Sequence, residues 1–455
     1  MTISSSKPIK LGNNRLLIFC SHYPPGPKVG GVARIGKLIK YLPDIGWDSI
    51  VVTSKLGFKD KKSNTLLHEI EDKAIVYRLP FLYPGGAIKI IYKYLISPIN
   101  FLKALAQKFT HNKNKFKTEH NELEMGSRID KYLVPDLGVF WSIAAIFSGL
   151  YCIKRYKPDI ILASAPFHSS LITAYITSKI TGIPFVVDLR DPWTTNPFAI
   201  KKINILSKLE FVIEKKVYES ASKIICVHKN FIQPIAKKHN IDVDKFNVIS
   251  NGYDEDDFKN IKSIVFPKKT IIHAGSFYPG RTPDIFIEAL KRISFDSPYL
   301  LSDWSVIFIG SPGYADSQKN NIEDSIVCQV KNVGNLSHEE TIQNMSGADI
   351  LLLLPGIGST TLTGKIFEYM ALKKPIFCIS PKGAASKVIN DFNLGISADL
   401  ESINDVVDQL TYFLAAVSNK DFSIVNSNKL SSSGFTRKEI AKSFEKTFQN
   451  IMANG

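Results

Sequence analysis

The sequence is poor in cysteine, and its cysteines lack the spacing of a metal site. None forms a CxxC pair or a zinc-like Cys/His arrangement. Four of the five stand in apolar runs, where cysteine usually acts as a small buried hydrophobe. We therefore expect a reducing compartment and no structural metal. The five are Cys20, Cys152, Cys226, Cys328 and Cys378.

Long hydrophobic runs are also scarce. The one stretch that resembles a membrane span, residues 137–153, has seventeen uncharged residues but includes Ser142, Ser148 and two glycines. We expect it to form a buried helix. The short apolar run near the N-terminus is typical of a first strand rather than of a signal peptide.

Two common phosphate-binding motifs are missing. The chain has no GK[ST] P-loop, and the turn after its first predicted strand is not GxGxxG. A dinucleotide-binding oxidoreductase or epimerase would also need an acid at the end of the second strand, where Thr53, Ser54 and Lys55 stand. That class of enzyme is therefore disfavoured.

Negative charge is in short supply, which gives a net charge of +15 and favours an acidic partner. Residues 87–117 alone hold seven lysines and no carboxylate. These lysines show no interleaved base-stacking pattern, so a nucleic acid is a poor candidate.

What the sequence does contain is an alternation of apolar strands and amphipathic helices, in two series. The first series has predicted strands at residues 15–21, 50–53, 74–79, 159–164, 185–189, 224–227 and 247–250. The second has predicted strands at 270–274, 305–309, 349–354 and 375–379. This alternation predicts an α/β protein with two doubly wound parallel sheets.

The domain boundaries follow from that division, since 455 residues suit two domains of about 200 residues each. We predict an N-terminal domain over residues 1–259, with a basic insertion at about 82–136. A C-terminal domain covers residues 260–432, and an amphipathic helix within 433–455 is expected to pack back on the N-terminal domain.

Ligands of doubly wound sheets bind at the carboxyl ends of the strands, so the loops there carry the candidate residues. Gly30 and Gly31 are at the start of the first predicted helix, where backbone amides can bind an anion, although a plain strand-to-helix turn explains them at least as well. His168 stands at the start of another helix. The next strand ends in DLRDPW, which places Asp188, Arg190, Asp191 and Trp193 together; a simple Arg–Asp pair that holds the loop is the alternative.

In the C-terminal half, Gly275 follows a strand and Arg281 lies at the head of the next helix. A cation there opposes the helix dipole, which makes sense if an anion sits between them. Lys365 and Glu368 lie three residues apart on one helix face; they form either a surface ion pair or part of a cleft. The apolar neighbours of this pair predict a mostly buried helix.

The ordered series GG loop, PxHS, DxRDPW, NG, G-x5-R and GKIFEYMA-xxKPI resembles the large fourth family of retaining glycosyltransferases. Within it, the series resembles members that build bacterial capsular, O-antigen or exopolysaccharide units. The resemblance runs from about residue 16 to about residue 410 and breaks across the basic insertion. It implies the GT-B fold, in which two Rossmann-like domains face each other across a cleft.

The resemblance also implies roles for individual residues. Glu368 would hold the ribose hydroxyls, and Arg281 takes the place of a diphosphate-binding lysine. His168, Arg281 and Asp191 form the implied catalytic set, and Arg190, Asp191 and Trp193 the acceptor site. The implied donor site comprises Gly30, Gly31, Gly275, Ser276, Arg281, Ser359, Thr360, Gly364, Lys365 and Glu368.

The implied activity is transfer of a hexose from a nucleotide-sugar, by preference a UDP-sugar, with retention of configuration. The acceptor would be a saccharide or a polyprenyl-diphosphate-linked saccharide in surface polysaccharide synthesis. No metal or other cofactor is expected. Ser276 and Thr360 depart from the family pattern, which has Arg and Glu at these places, so a non-catalytic sugar-nucleotide-binding or scaffold protein of GT-B fold is the alternative.

The basic insertion suggests where such an enzyme works. Its apolar residues are flanked by Lys89, Lys93, Lys103 and Lys108, a composition that suits an anionic membrane surface. We expect a cytoplasmic protein that binds the inner face of the cytoplasmic membrane. The alternative is that the insertion caps the N-terminal domain, with its lysines in water.

Overall fold

The protein is represented by a computed structural model that describes residues 2–3, 12, 14–25, 30–55, 65–80, 132–196, 199–200, 202–278, 280–311, 313, 325–356, 362, 364–421 and 434–453. The chain divides into two compact units. Unit 1 consists of Met1–Ser250 with Ala441–Gly455, and unit 2 of Asn251–Ile440.

Unit 1 is built on an eight-stranded sheet in the order β1-β4-β3-β2-β5-β6-β7-β8. The short β1 pairs antiparallel with β4, and all other neighbours are parallel. The strands are β1 (Thr2–Ile3), β2 (Asn14–Cys20), β3 (Trp47–Ser54), β4 (Ala74–Leu79), β5 (Ile160–Ala165), β6 (Phe185–Leu189), β7 (Lys223–Cys226) and β8 (Phe246–Val248).

The helices of unit 1 follow the strands as the βαβ pattern requires. On one face of the sheet, Phe19 and Val52 pack with Trp141 and Leu171 in one fully buried cluster. This core fixes the strand ends that carry the candidate residues. The helices are α1 (Gly30–Tyr41), α2 (Thr65–Ile70), α3 (Val139–Tyr156), α4 (Ser169–Thr181), α5 (Asn204–Ser220) and α6 (Ile232–His239).

Helix α3 corresponds to the stretch that resembles a membrane span. Among the residues that the structure describes, no helix combines the length and apolar character that a membrane crossing requires. The prediction that this helix is buried is only partly correct, because the side chains of Ile143, Phe147 and Tyr151 are 64%, 70% and 47% exposed. Since they are four residues apart, they form one apolar stripe on the outer face of α3.

Unit 2 is a second parallel α/β unit, with a six-stranded sheet in the order β11-β10-β9-β12-β13-β14. A capping box starts the helix that begins at His338: Ser337 Oγ accepts from the Glu340 N–H, and the Glu340 carboxylate accepts from the Ser337 N–H. The strands are β9 (Lys269–Ala274), β10 (Trp304–Ile309), β11 (Gln329–Asn332), β12 (Ile350–Leu353), β13 (Ile376–Ser380) and β14 (Gly395–Asp399). The helices are α7 (Asp284–Asp296), α8 (His338–Gly347), α9 (Gly364–Leu372), α10 (Ala384–Asp391), α11 (Ile403–Ser418) and α12 (Arg437–Ala453).

The last helix, α12, begins in unit 2, and from Ala441 onward it belongs to unit 1. There Phe448 packs against Trp47 with ring centroids 5.1 Å apart, and the Asn247 amide donates to Thr447 at 3.0 Å. The units divide between Ser250 and Asn251, earlier than the predicted boundary after residue 259. The division falls at the end of the last β-strand of unit 1, where its core ends.

Candidate functional site

In unit 2, the loop after β9 folds back at the carboxyl edge of the sheet. The Arg281 N–H donates to the Tyr278 carbonyl at 2.8 Å, and the Tyr278 N–H donates to the Arg281 carbonyl at 3.1 Å. This turn brings the side chain of Arg281 over Gly275, the residue directly after β9. A Cβ on Gly275 would lie 2.7 Å from Arg281 Nη2, so a side chain at this position would displace the guanidinium from its present place.

The guanidinium of Arg281 keeps unused hydrogen-bonding capacity at this place. Its Nε and Nη2 atoms are buried, and neither has a hydrogen-bond partner within the part of the chain that the structure describes. Buried donors of a permanently charged group are costly unless an acceptor binds them. The arrangement therefore suits an anion, and the arginine fork is well matched to a phosphate or carboxylate.

Beside Arg281, the imidazole of His273 is neutral. It is fully buried and stacks on Phe277 with centroids 5.1 Å apart. Nδ1 lies 2.9 Å from the Leu352 carbonyl, which only accepts, so Nδ1 carries the proton. Burial, and next the charge of Arg281, lower the pKa of His273 to about 3. Arg281 therefore meets no positive charge from this ring at neutral pH.

Helix α9 brings the second predicted motif to the same edge. Lys365 Nζ lies 2.5 Å from Glu368 Oε2, and the two side chains are 26% and 22% exposed. The next residue, Tyr369, is fully buried; its hydroxyl accepts from the Ala274 N–H at 3.0 Å and donates to the Leu352 carbonyl at 3.2 Å. The predicted burial of α9 is confirmed, and Tyr369 fastens the helix to the ends of β9 and β12.

Electrostatic contacts join the two motifs into one cluster. Arg281 and Lys365 both act to lower the pKa of His273, after burial as the main cause. Burial raises the pKa of Tyr369, on which Arg281 and Glu368 act in opposite directions. The residues predicted from separate stretches of sequence therefore meet at the carboxyl ends of β9 and β12.

The remaining predicted donor residues are placed only in part. Ser276 is exposed, and its hydroxyl accepts from the Ser311 N–H at 3.3 Å. Gly364 is the first residue of α9, and Gly30 and Gly31 are the first residues of α1. The predictions for Ser359 and Thr360 lie outside the described residues, as do those for Lys89, Lys93, Lys103 and Lys108.

In unit 1, His168 occupies the N-cap position of α4, at a helix start as predicted. Its N–H donates to Asp136 Oδ2 at 2.7 Å, and its ring stacks on Trp193 with centroids 5.0 Å and planes 13° apart. Burial lowers the pKa of His168 to about 4, so the ring is neutral at pH 7. Nε2 is buried, and no described residue meets hydrogen-bond geometry there. A neutral ring with one free nitrogen suits a hydroxyl ligand.

The DLRDPW stretch divides into a buried part and an accessible part. Asp188 is fully buried, whereas Arg190 and Asp191 form a pair at 2.6 Å with side chains 25% and 47% exposed. Trp193 is only 3% exposed, because His168 covers its ring face. The sequence assigned Trp193 to the acceptor site, and at this burial its indole offers little surface for direct contact with a sugar. Arg190 and Asp191 remain accessible to a ligand.

Arg34 of α1 is a partner that sequence reasoning missed. Its Nη2 lies 2.8 Å from Asp188 Oδ1, and both side chains are fully buried. It also donates to the carbonyls of Ile249 and Ser250 at 2.9 Å and 2.8 Å. The sequence did contain a sign that Arg34 is buried, because it lies one helical turn before Leu38 on the apolar face of α1. A buried arginine needs an acidic partner.

Two family profiles cover most of the chain. The one described as Glycosyltransferase Family 4 matches residues 29–257, half of the 455 residues. The one described as Glycosyl transferases group 1 matches residues 254–422.

The chain belongs to Glycosyltransferase Family 4.

Solved structures of similar fold support the GT-B architecture of this glycosyltransferase. A glycosyltransferase from Rickettsia africae is 15% identical with a TM-score of 0.60, over 97% of this chain and 99% of that one. WaaG, a glycosyltransferase involved in lipopolysaccharide biosynthesis, is 12% identical with a TM-score of 0.57, over 95% and 99%. An E. coli structure described as trehalose-6-phosphate bound with UDP-2-fluoro glucose is 11% identical with a TM-score of 0.58, over 96% and 99%. No curated protein matches the sequence significantly.

The family membership gives the two clusters a common context. A glycosyltransferase must hold a leaving group and direct an acceptor, and the described strand ends offer groups suited to each task. Within the described ranges, unit 2 holds the Nε and Nη2 donors of Arg281 without a partner, and unit 1 holds His168 with the accessible pair of Arg190 and Asp191. The family resemblance predicted from the sequence motifs is confirmed for the family as a whole.

Proposed function

We propose that this glycosyltransferase moves a hexose from a nucleotide-sugar, by preference a UDP-sugar, to a saccharide or a polyprenyl-diphosphate-linked saccharide. The reaction would retain the anomeric configuration and serve surface polysaccharide synthesis, such as capsule or O-antigen. The observation that carries the proposal is the guanidinium of Arg281, whose buried Nε and Nη2 atoms lack acceptors among the described residues. A diphosphate would supply those acceptors.

The donor's nucleotide end is assigned to unit 2. Arg281 would bind the diphosphate, with Lys365 as a second cation, and the amides at the start of α9 would add dipolar stabilisation. Glu368 would accept hydrogen bonds from the ribose hydroxyls and would release Lys365, its present partner, to the phosphates. The accessible Lys365–Glu368 pair supports this exchange because neither side chain is fully buried.

The reacting sugar is assigned to unit 1. His168, which is neutral and whose Nε2 has no hydrogen-bond partner among the described residues, would hold a hydroxyl of the transferred sugar, and Arg190 and Asp191 would position the acceptor. In front-face attack, the acceptor oxygen bonds to the anomeric carbon as the bond to the phosphate oxygen breaks. The departing phosphate oxygen takes the acceptor's proton, so no separate carboxylate nucleophile is needed.

The leaving diphosphate carries negative charge, which glycosyltransferases neutralise with cations or preorganised amides. We assign this task to Arg281, Lys365 and α9, and we therefore propose that transfer needs no metal ion. The alternative is a non-catalytic protein of this family that binds sugar nucleotides. The serine at 276 and the threonine at 360 favour that alternative, since the family pattern has Arg and Glu there.

The donor site can be tested by calorimetric titration with UDP. Glu368→Gln should weaken UDP binding by about 1.5–3 kcal/mol, because the variant loses charge-assisted hydrogen bonds to the ribose. Glu288→Gln, at an exposed pair of α7, is the matched control and should bind as the wild type does. Equal affinity in both variants would contradict the ribose assignment, and UDP binding without turnover of a radiolabelled sugar would favour the non-catalytic alternative.

We also propose that the protein is cytoplasmic and works at the inner face of the cytoplasmic membrane. The lysine-rich insertion supports this proposal. So does the exposed apolar stripe of α3 (Ile143, Phe147 and Tyr151), since α3 follows the insertion along the chain. Apolar side chains near lysines are the composition that interfacial binding requires.

Co-sedimentation with vesicles tests the membrane proposal. The wild type should pellet with phosphatidylglycerol-containing vesicles at low salt and less so as salt rises, because screening weakens the attraction. Changing Lys89, Lys93, Lys103 and Lys108 to Glu should abolish pelleting, since each lysine contributes about 1 kcal/mol near an anionic surface. The control changes four exposed lysines of unit 2 to Glu, namely Lys259, Lys268, Lys373 and Lys382. Wild-type protein that stays in the supernatant would refute the proposal.

A further inference from the structure

A closed series of contacts surrounds His168 in unit 1. On one side, the ring of His168 stacks on Trp193, with centroids 5.0 Å and planes 13° apart. Trp193 is itself held edge-on by Tyr218, with centroids 6.5 Å and planes 84° apart. Because Trp193 is 3% exposed, its ring serves as a support for the imidazole and has no open face for a sugar.

The indole of Trp193 is fixed by a buried ion pair. Trp193 Nε1 donates to Glu210 Oε1 at 2.8 Å, and Lys202 Nζ donates to the same oxygen at 2.6 Å. The side chains of Lys202 and Glu210 are only 5% and 10% exposed. A hydrogen bond at one end of the indole fixes its rotation within the plane, and so fixes the surface on which His168 stacks.

The series closes on the other side of His168 through the segment before α3. Lys202 Nζ also donates to the Pro135 carbonyl. The adjacent Asp136 accepts from the backbone N–H groups of His168 at 2.7 Å and Ser169 at 3.3 Å. The two ends of the series therefore meet at Pro135–Asp136. One end holds the backbone of His168, and the other holds its ring.

We propose that Trp193, Glu210 and Lys202 are positioning residues that fix the imidazole of His168, and that Trp193 acts through His168 rather than by contact with the acceptor. The inference rests on the proposed role of His168 in sugar transfer. Pre-organised geometry matters for such a group, because small displacements of a reacting or orienting side chain greatly reduce the rate.

A second carboxylate of α5 supports the same loop. The Thr194 N–H donates to Glu214 Oε1 at 3.2 Å, and Glu214 is paired with His239 at 3.1 Å, with both side chains fully buried. Glu210 and Glu214 are four residues apart on the inner face of α5. The helix therefore holds two consecutive residues of the loop, and Trp193 has little freedom to leave the imidazole.

The test compares Glu210→Ala with Glu210→Gln. Both substitutions remove the same charge. Glutamine keeps an oxygen that accepts hydrogen bonds from Trp193 and Lys202, whereas alanine loses both hydrogen bonds. We expect Glu210→Ala to lower kcat of sugar transfer by about 10- to 100-fold with a smaller change in the donor KM. Glu210→Gln should restore most of the rate. Val217→Ala, a fully buried truncation on the same helix, controls for loss of stability and should leave kcat unchanged.

A readout independent of activity is the NMR titration of His168, assigned from the spectrum of His168→Gln. The charged groups that act on this ring are Glu214 and Asp191, which raise its pKa, and Lys202, which lowers it; Asp136 Oδ2 lies 3.9 Å from Nδ1. Removing a nearby negative charge can only lower the pKa of an imidazole. Solvation of a loosened ring would instead raise the pKa toward 6.5, so the sign separates the two effects.

In the wild type and in Glu210→Gln, His168 should therefore show no titration above pH 5. In Glu210→Ala, His168 should titrate above pH 5. Trp193→Phe keeps the ion pair of Lys202 and Glu210 but loses the indole donor. It should raise the pKa of His168 as well, and it replaces Glu210→Ala in this test if that variant does not fold. If the pKa of His168 were the same as in the wild type in both Glu210→Ala and Trp193→Phe, the inference would be overturned. Unchanged transfer by His168→Ala would instead overturn the proposed role of His168, and the titration would still decide whether the ring is positioned.

Discussion

Arg281→Ala should lower the rate of sugar transfer by about 10²- to 10³-fold, the usual cost of removing one preorganised group that stabilises developing charge. The buried Nε and Nη2 atoms have no acceptor among the described residues, so their hydrogen bonds are available to the leaving diphosphate. Arg281→Lys should lower the rate of transfer less than Arg281→Ala does, because lysine keeps the positive charge. It should still be slower than the wild type, because lysine lacks the planar fork of donors. Steady-state rates with a radiolabelled UDP-sugar measure both variants.

The control for this prediction is Arg292→Ala on α7, where the arginine is 43% exposed and pairs with Glu288. It removes the same charge away from the site and should leave the rate within twofold or so of the wild type. The same assay in EDTA tests metal independence. Full loss of transfer in EDTA, restored by Mg²⁺ or Mn²⁺, would show that a metal ion rather than Arg281 carries the phosphate charge.

Asp188→Ala should lower the free energy of unfolding of unit 1 by about 3–5 kcal/mol, the cost of removing one partner from a buried ion pair. Asp188 accepts from Arg34 at 2.8–3.1 Å and from Ser164 at 2.8 Å, and the pair is fully buried. The variant leaves the Arg34 charge in the core without this carboxylate. Urea unfolding followed by tryptophan emission measures the loss, since Trp47, Trp141 and Trp193 all lie in unit 1.

The matched control is Asp303→Ala, which breaks an exposed pair with Lys269 at 3.5 Å. Exposed pairs contribute about 0–1 kcal/mol, so this variant should unfold nearly as the wild type does. A loss below about 1 kcal/mol in Asp188→Ala would mean that water or the carbonyls of Ile249 and Ser250 compensate the charge of Arg34. Arg34 also lies 5.3 Å from the ring of Phe444 in α12, so the variant should weaken the packing of this helix as well.

The parallel α/β architecture was predictable because central strands such as β2 and β12 are buried on both faces and contain continuous apolar runs. Three strands escaped prediction, and all are edge strands: β1 in unit 1, and β11 and β14 in unit 2. β11 has the sequence QVKN, with exposed Gln329 and Lys331. An edge strand lies partly in water and carries little apolar pattern, so its pairing follows from its neighbours rather than from its own residues.

The candidate site was predictable where its residues belong to local motifs at strand ends. Gly275, Arg281, Lys365 and Glu368 are examples, because chain order and the parallel arrangement already place these loops at one edge of a sheet. The contacts that hold these residues in place were not predictable from the sequence. An example is the Tyr369 hydroxyl, which hydrogen-bonds to the backbone of both Ala274 and Leu352. A buried tyrosine in an apolar helix gives no sign in the sequence of which backbone groups it will bind.

By itself, the sequence determined the alternation of strands and helices, the motif-bearing loops and the family. Only the tertiary structure decided that Asp188 pairs with Arg34, 154 residues away along the chain, and that Trp193 lies behind His168 rather than open to an acceptor. It also decided the protonation of His168 and His273, whose pKa values are lowered mainly by burial. Periodicity and motifs are properties of neighbouring residues, whereas desolvation and pairing depend on which distant residues surround a group once the chain has folded.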